Sequence, residues 1–535
     1  MSAGAGGPRA IPVTLRIGVF GAEREAEGTH SRPCIRKVLA RLDRIMQRTP
    51  HTCEIVSSCA EEAACSVVEE ALDWTGRRGS PHTFEAHLPT SSDQCLAMMD
   101  DDEGRARLQS LFERAERVNE PATGDSPKSR REVTREIIHT CDLLVVIWNG
   151  DEEPGETTGE LVKYARMVGR TIFLINPHTG TVREERHSDG VLESLEHIDV
   201  YNTETVAQEK IQRRVRERYL WLAGKMQISG LPSSLLQPLC PALLPQFARA
   251  DLLADRYNRL YMLSGTAVYL LAAAAVATVT HQTLFLPDAP GILWLEVLEI
   301  ALILLLLMGS RILDWHRKWI DYRFLAERLR VAIFLSIICI TPEHPDKDEH
   351  DLFHRGGEWM MIVYREIMKD RPMEYCAITV PFEPIKTFLL EAWIDNRLSY
   401  YSRESERNRR RYSLMAEFGE MLFAVTLIAA AVHAAGLEEI WLFSIPAHTE
   451  LLSAATILFP VIGAAVAAIR IQREYLRNAE RYGHMVRDLS VISSQIKRTT
   501  DRSALVALLQ NANEATFREH QDFRAVFRFH ELEAP

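Results

Sequence analysis

Small and polar residues follow several short apolar runs in the first 200 residues and could bind a phosphate or a sugar. Gly21 ends the run LRIGVFGA (15–22), where the absence of a side chain lets an anion approach the backbone. Arg24 follows and could pair with a phosphate. Thr157 and Thr158 open a helix, whose N-terminus favours an anion. The ligand-binding candidates are Gly18, Gly21, Arg24, Ser57, Trp148, Asn149, Gly150, Thr157, Thr158 and Glu160.

Several of these residues also have a purely structural interpretation. Thr157, Thr158 and Glu160 could form only the N-cap and first turn of a helix, in which a carboxylate favours the helix dipole. Arg24 could be a solvated surface arginine, and Trp148 a core aromatic rather than a stacking face for a ligand. The residue types alone leave both interpretations open.

The elements that would position these residues are short apolar strands that alternate with helical segments. The strand-like runs are 15–22, 52–58, 82–89, 142–150 and 171–177, each bounded by turn residues. The stretches between them repeat apolar positions at helical spacing. This alternation predicts an α/β Rossmann-like N-terminal domain with a parallel sheet covered on both faces. Ligands on such sheets bind at the carboxyl ends of the strands.

The second half of the chain contains four apolar runs that are long enough to cross a bilayer, which needs about 20 apolar residues. Lys and Arg are absent from the two connectors 287–291 and 434–450, whereas arginines crowd the other flanks. Positive residues near span ends stay on the cytoplasmic side. The pattern predicts an all-α membrane domain of two helical hairpins with both termini in the cytoplasm. The four runs are 262–286, 291–312, 413–436 and 451–469.

Two pairs of acidic residues interrupt these runs. Glu296 and Glu299 in the second run, and Glu417 and Glu420 in the third, are each three residues apart and therefore share a helix face. A carboxylate at the bilayer centre costs about 2.5–3.5 kcal/mol, so such groups usually face protein or water. The two pairs could line a water-filled path for cations. They could equally lie at headgroup depth and be hydrated.

The two hairpins also resemble each other in sequence. Each one is followed by a charged helix that contains the triplet Ala-Glu-Arg, at 326–328 and at 479–481. The similar placement of the two triplets predicts an internal duplication.

Composition narrows the class of protein. The net charge of -11 argues against a nucleic-acid binder. The nine cysteines contain no Cys-x-x-Cys pair, which predicts free thiols. No metal site is predicted, since HPDKDEHDLFH (344–354) is interpreted as a solvated loop.

The predicted segments are a disordered tail (1–14), the α/β domain (15–202), a helix with a Pro-rich linker (203–260), the first hairpin with its cytoplasmic helix (261–340), a helical connector (341–411), the second hairpin with its cytoplasmic helix (412–489) and C-terminal helices (490–535).

Residues 141–177 (CDLLVVIWNGDEEPGETTGELVKYARMVGRTIFLINP) resemble the SLOG superfamily, Rossmann-like domains related to the LOG phosphoribohydrolases and nucleoside deoxyribosyltransferases. The likeness rests on an apolar strand after Cys-Asp, a Trp-x-Gly turn, a Gly/Thr-rich helix start with an acid, and a following strand. It extends over roughly 15–200. The hydrolytic signature Pro-Gly-Gly-x-Gly-Thr-x-x-Glu is absent, because Glu156 holds the second Gly position and Val162 the Glu position. The resemblance therefore implies ligand binding more than hydrolysis.

Residues 314–330 (DWHRKWIDYRFLAERLR) are similar to the SLATT class, transmembrane effector domains that accompany SLOG proteins in bacterial conflict systems. Together the resemblances imply an inner-membrane effector of bacterial defence that senses a nucleotide-derived or ADP-ribose-type signal. They also imply a nearby enzyme that makes this signal, and a homo-oligomer that permeabilises the bilayer or opens a pore. No other cofactor is expected. The alternative is a membrane-anchored N-glycosidase that processes nucleotides or NAD with Glu160.

Overall fold

The chain folds into two compact units in the computed structural model. The first unit comprises Met1–Thr205 and His344–Arg371, and the second comprises Val206–Glu343 and Pro372–Pro535. The structure describes residues 10–21, 31–59, 62–74, 82–98, 102–121, 130–150, 157–186, 190–338, 359–369, 380–435 and 448–527.

The first unit is built on a seven-stranded sheet. Its strands are β1 (Val13–Gly21), β2 (His51–Ser57), β3 (Thr83–His87), β4 (Arg117–Asn119), β5 (Leu143–Ile147), β6 (Thr171–Asn176) and β7 (Thr181–Glu185). They lie in the order β4-β3-β2-β1-β5-β6-β7, and neighbours run parallel except for β6 and β7. The predicted Rossmann-like fold is confirmed.

Two strands were not predicted from the sequence, and one of them changes the sheet. β4 has only three residues, and β7 (TVREE) is a polar edge strand, so neither shows an apolar run. β7 pairs antiparallel with β6 because the short turn that ends at Gly180 reverses the chain. The predicted parallel sheet therefore has one antiparallel edge strand.

Helices flank the strands of the first unit and form all of the second. In chain order they are α1 (Ser31–Ile45), α2 (Glu62–Asp73), α3 (Ser92–Ala97), α4 (Asp102–Arg114), α5 (Arg130–Thr140), α6 (Thr157–Met167), α7 (Val191–Thr203), α8 (Gln208–Ile228), α9 (Leu239–Ala242), α10 (Leu244–Phe285), α11 (Leu293–Ile312), α12 (Trp315–Ile337), α13 (Trp359–Lys369), α14 (Phe382–Leu389), α15 (Asp395–Ala434), α16 (His448–Gln472), α17 (Tyr475–Arg498) and α18 (Arg502–Phe527). A short π-helical turn, Leu390–Ile394, joins α14 to α15.

One helix of the first unit comes from the segment between the two hairpins. α13 packs against α7 and β1, and nearly all its apolar side chains are buried. The Trp359 ring lies 5.5 Å from the Tyr201 ring of α7, centroid to centroid. The predicted connector (341–411) thus contributes a helix to the α/β unit. The chain consequently passes between the units three times.

Four helices of the second unit, α10, α11, α15 and α16, are long and apolar enough to span a membrane. The chain is therefore a multi-pass membrane protein. α11 packs on α10 and α15 packs on α16, which gives the two predicted hairpins. α10 also packs on α16, where Arg473 donates a hydrogen bond to Thr266 Oγ1 at 2.9 Å. Gly265 permits this approach, since a Cβ there would overlap Gln472.

The outer faces of the hairpins are strongly apolar and exposed. Trp294 and Leu305 of α11 and Leu427 of α15 are 75%, 64% and 71% exposed. Soluble monomers rarely leave continuous apolar faces of this kind in water. Lipid or another protein surface must cover them.

Both hairpins end in the same backbone joint. Asp314 follows α11 with φ +50°, and Glu474 follows α16 with φ +46°, a left-handed conformation that is uncommon outside glycine. In each joint the arginine three residues later pairs with the acid, Arg317 at 2.7 Å and Arg477 at 3.2 Å. The repeated joint supports the predicted duplication. The Ala-Glu-Arg triplets do not, because they begin 12 and 5 residues after their joints.

Candidate functional site

The carboxyl edge of the sheet contains a topological switch point. β1 lies at the centre. The strands β2, β3 and β4 follow on one side of it, and β5, β6 and β7 follow on the other. The order of the strands therefore reverses between β1 and β5, and open α/β sheets bind ligands in the crevice at such a point.

Gly21 and Thr158 meet at this crevice. Gly21 is the last residue of β1 and pairs with Ile147, the last residue of β5. A Cβ at Gly21 would lie 2.5 Å from the Ile147 carbonyl oxygen, so only glycine fits between the strands. The hydroxyl of Thr158, in the first turn of α6, donates a hydrogen bond to the Gly21 carbonyl oxygen at 3.2 Å. The N-terminus of α6 is thereby fixed beside the end of β1, where its amides favour an anion.

Asn149 and Gly150 form the turn that leaves β5. The Asn149 carbonyl oxygen accepts a hydrogen bond from the Asn176 side chain at 3.1 Å, which ties the turn to the end of β6. Gly150 has φ +97°, the left-handed region that favours glycine, and a Cβ there would contact no heavy atom of the described residues.

Trp148 belongs to the core. Its side chain is buried in a cluster that includes Phe20, Val162 and Ala165, and its amide donates to the Ile175 carbonyl at 2.9 Å. Of the two interpretations of this residue, burial favours the core aromatic over the ligand-stacking face.

Gly18 and Ser57 also serve the fold. A Cβ at Gly18 would come within 2.8 Å of Ile137, so the glycine lets α5 pack on β1. Ser57 is fully buried and donates to the Val19 carbonyl at 2.8 Å. Its hydroxyl also accepts the Cys59 amide at 3.1 Å, which shapes the turn after β2. Both residues therefore have a structural role in the sheet, and their contact with a ligand stays a prediction.

Glu160 is exposed on α6 and pairs with Arg131 of α5. This is a surface ion pair near a helix N-terminus, as the structural interpretation of this acid predicts. Arg24, the Thr157 side chain and the loop 344–354 lie outside the described residues.

The four intramembrane acids occupy two different environments. Glu299 is buried between α11 and α10, where the Thr278 hydroxyl donates to its Oε2 at 3.1 Å, and Glu296 is half-buried one turn earlier. Glu417 and Glu420 are exposed on α15. The two pairs of acids belong to different hairpins. A cation path lined by both pairs would therefore need helices from both hairpins.

The amino edge of the sheet carries a buried polar cluster that sequence reasoning missed. Asp142 precedes β5 and accepts the Arg16 amide at 2.7 Å. Burial raises the pKa of Asp142 to about 7, although Arg16, Arg365 of α13 and Arg170 act against this rise. On β3, two strands away from β1, a hydrogen bond from His87 lowers the pKa of Glu85. Charged residues inside otherwise apolar strands were the signal that could have indicated this cluster.

No model of a known protein family matches the chain, and no characterised protein is similar to it at a significant level. The geometry of the two units therefore carries the functional argument.

Proposed function

We propose that this chain is a ligand-gated membrane effector of a bacterial defence system. A nucleotide-derived signal binds in the crevice at the carboxyl edge of the α/β unit. The protein then oligomerises and permeabilises the inner membrane or opens a pore in it, with both chain termini in the cytoplasm. Two observations support this proposal. Gly21, Gly150 and the N-terminus of α6 lie at the switch point of the sheet, and the same chain has four membrane-spanning helices.

The crevice suits a phosphate more than a reacting sugar. Backbone amides at the start of α6, which the Thr158 hydroxyl ties to the end of β1, provide partial positive charge that favours an anion. Glu160, the only catalytic candidate of the alternative N-glycosidase function, is occupied by Arg131 at the surface. The site therefore supports binding without hydrolysis.

The path of the chain offers a mechanical link from the crevice to the hairpins. α13 is packed into the α/β unit, while the segments before and after it continue into α12 and α14. Together with α7, which precedes α8, it gives the α/β unit three covalent connections to the membrane helices. A ligand shifts the equilibrium between a resting and an active state only by its differential affinity for these two states. The bound and free proteins must then differ in their assembly.

A binding experiment on the full-length protein in detergent tests this proposal. Cyclic nucleotides, ADP-ribose and NAD are titrated while heat release and product formation are followed together. Saturable binding of one compound without turnover supports the sensor. Turnover that Glu160→Gln abolishes supports the N-glycosidase, and absence of binding by all three classes contradicts both.

A further inference from the structure

A polar cavity of about 290 Å³ lies in the second unit, outside the apolar runs of the membrane helices. We name it the juxtamembrane cavity. Three helices form its wall. The charged lining residues include Asp251 and Asp255 from α10, Glu327 and Arg330 from α12, and Arg397 and Arg403 from α15.

Positive charge exceeds negative charge around the juxtamembrane cavity. Three carboxylates line it, those of Asp251, Asp255 and Glu327, together with four guanidinium groups. α8 adds two further arginines. Arg214 pairs with Asp251 at 3.2 Å and with Asp255 at 2.9 Å, and Arg218 lies close enough to the lining arginines to be repelled by them.

The carboxylates are already engaged by protein groups. Arg330 pairs with Glu327 at 2.8 Å and with Asp251 at 3.3 Å, and Arg397 also pairs with Glu327. Each acid thus faces at least one arginine, and two of the acids face two. Burial, followed by repulsion from Arg330 and Arg397, lowers the pKa of Arg218 to about 9. The cluster consequently retains positive charge that its own acids do not neutralise.

Two polar groups at the wall have capacity for a ligand. Arg403 is exposed on α15, its Nε donates only to the Ser399 carbonyl at 3.2 Å, and no carboxylate in the described part of the chain pairs with it. Asn258 Oδ1 is buried and finds no hydrogen-bond partner among the described residues. A side-chain amide can rotate to present its two N–H donors instead.

We propose that the juxtamembrane cavity binds a phosphate-bearing anion, with Arg403 at its mouth and Arg397 and Arg330 deeper inside. Guanidinium groups match the oxygens of a phosphate in pairs, and a phosphate would neutralise the surplus charge. Two sources have this chemistry, the headgroup of an anionic lipid and a soluble phosphate compound. Asn258 precedes the apolar run of α10 by about one helical turn, so the α10 side of the cavity is within reach of lipid headgroups. This site is separate from the crevice of the α/β unit and does not depend on the proposed function.

The thermal stability of the full-length protein distinguishes these sources. In neutral detergent, inorganic phosphate is added against chloride of equal ionic strength. In nanodiscs, phosphatidylcholine alone is compared with phosphatidylcholine that contains phosphatidylglycerol. A rise in melting temperature with phosphate identifies a soluble ligand, and a rise only with phosphatidylglycerol identifies a headgroup. A protein that responds to neither overturns the proposal.

Two variants with opposite expected effects make the assignment specific. Arg403→Gln should weaken the response about tenfold in anion concentration, because it removes a charged hydrogen-bond donor. Asp255→Asn should strengthen it, because it removes one competing carboxylate. Arg410→Gln, on the same helix but not in the cavity wall, is the matched control. An equal loss in Arg403→Gln and Arg410→Gln, or a weaker response in Asp255→Asn, overturns the proposal.

Discussion

The Thr158 hydroxyl donates a hydrogen bond to the Gly21 carbonyl oxygen at 3.2 Å, although 137 residues separate the two in sequence. This bond joins the first turn of α6 to the end of β1. It therefore holds in place both elements that border the crevice at the switch point.

Replacing Thr158 with valine should loosen the start of α6 while preserving side-chain shape. We expect a local loss of about 1 kcal/mol, the usual contribution of one hydrogen bond. Hydrogen–deuterium exchange of the full-length protein should show faster exchange at the start of α6 and little change in β6. Thr140→Val is the control, since the Thr140 hydroxyl donates within its own helix. Equal changes in both variants would count against a special role for the Thr158 bond.

Gly21→Ala should separate the ends of β1 and β5. The new Cβ would meet the Ile147 carbonyl oxygen and Cβ at 2.5 and 2.6 Å, and overpacking of this kind costs about 1–3 kcal/mol. The amides of β1 and β5 should then exchange faster. Gly224→Ala on α8, where a Cβ meets no atom of the described residues within 4 Å, should leave stability unchanged or slightly higher. Unchanged exchange in Gly21→Ala would show that the strands are not this close.

The stability of the α/β unit should depend on pH through Asp142. Burial raises the folded-state pKa of this acid to about 7, well above its usual value of 3.8, so the folded state holds the proton more tightly than the unfolded chain. Its contribution is therefore greatest at low pH and is lost as pH rises from about 4 through 7. Asp142→Asn has a side chain that stays neutral and should therefore flatten this pH dependence. The free energy of unfolding should change by a few kcal/mol at most, since each pKa unit corresponds to roughly 1.4 kcal/mol. Melting curves between pH 5 and 8 test this, and parallel profiles for the two proteins would refute it.

The two pairs of intramembrane acids should differ in their effect on ion flux. Glu299 is hydrogen-bonded inside the first hairpin, so Glu299→Gln should leave cation flux nearly unchanged. Glu417 and Glu420 face outward from α15, where another subunit could complete a path. The double variant Glu417→Gln, Glu420→Gln should lower cation selectivity several-fold, on the order of the effect of an acidic ring. Reversal potentials in planar bilayers measure this, and a larger effect of Glu299→Gln would reverse the assignment.

Glycine should stabilise the first of the two joints slightly, and the second less. A left-handed residue other than glycine costs about 1–2 kcal/mol, whereas the surface pair of Asp314 with Arg317 contributes less than about 1 kcal/mol. Asp314→Gly should therefore raise the melting temperature. The side chain of Glu474 is only 7% exposed, so Glu474→Gly also removes buried contacts and should raise the melting temperature less or lower it. A larger gain from Glu474→Gly than from Asp314→Gly would contradict this difference.

The sequence predicted the fold where local pattern and burial agree. β5 is buried at every position, and its continuous apolar run is visible in the sequence. β7 was missed because an edge strand needs no such run. The apolar pattern of α13 predicts a helix, but its packing against Tyr201 depends on residues about 160 positions away.

The candidate site was predictable where it depends on local sequence pattern. Strand ends and helix starts are visible in sequence, and the structure does bring Gly21 and Thr158 together. The packing of Gly18 against Ile137 and the burial of Trp148 depend on non-local neighbours, so their residue types could not separate core from ligand contact. The juxtamembrane cavity was missed because it requires charged stripes on three helices to converge.

Release of an entrapped dye and of potassium from liposomes that carry the full-length protein tests the central claim most directly. We expect little release without ligand and rapid release with one class of cyclic nucleotide or ADP-ribose derivative, and Gly21→Ala should reduce that release. Release that does not change with any of these compounds, or nucleotide binding without release, would contradict a ligand-gated membrane effector.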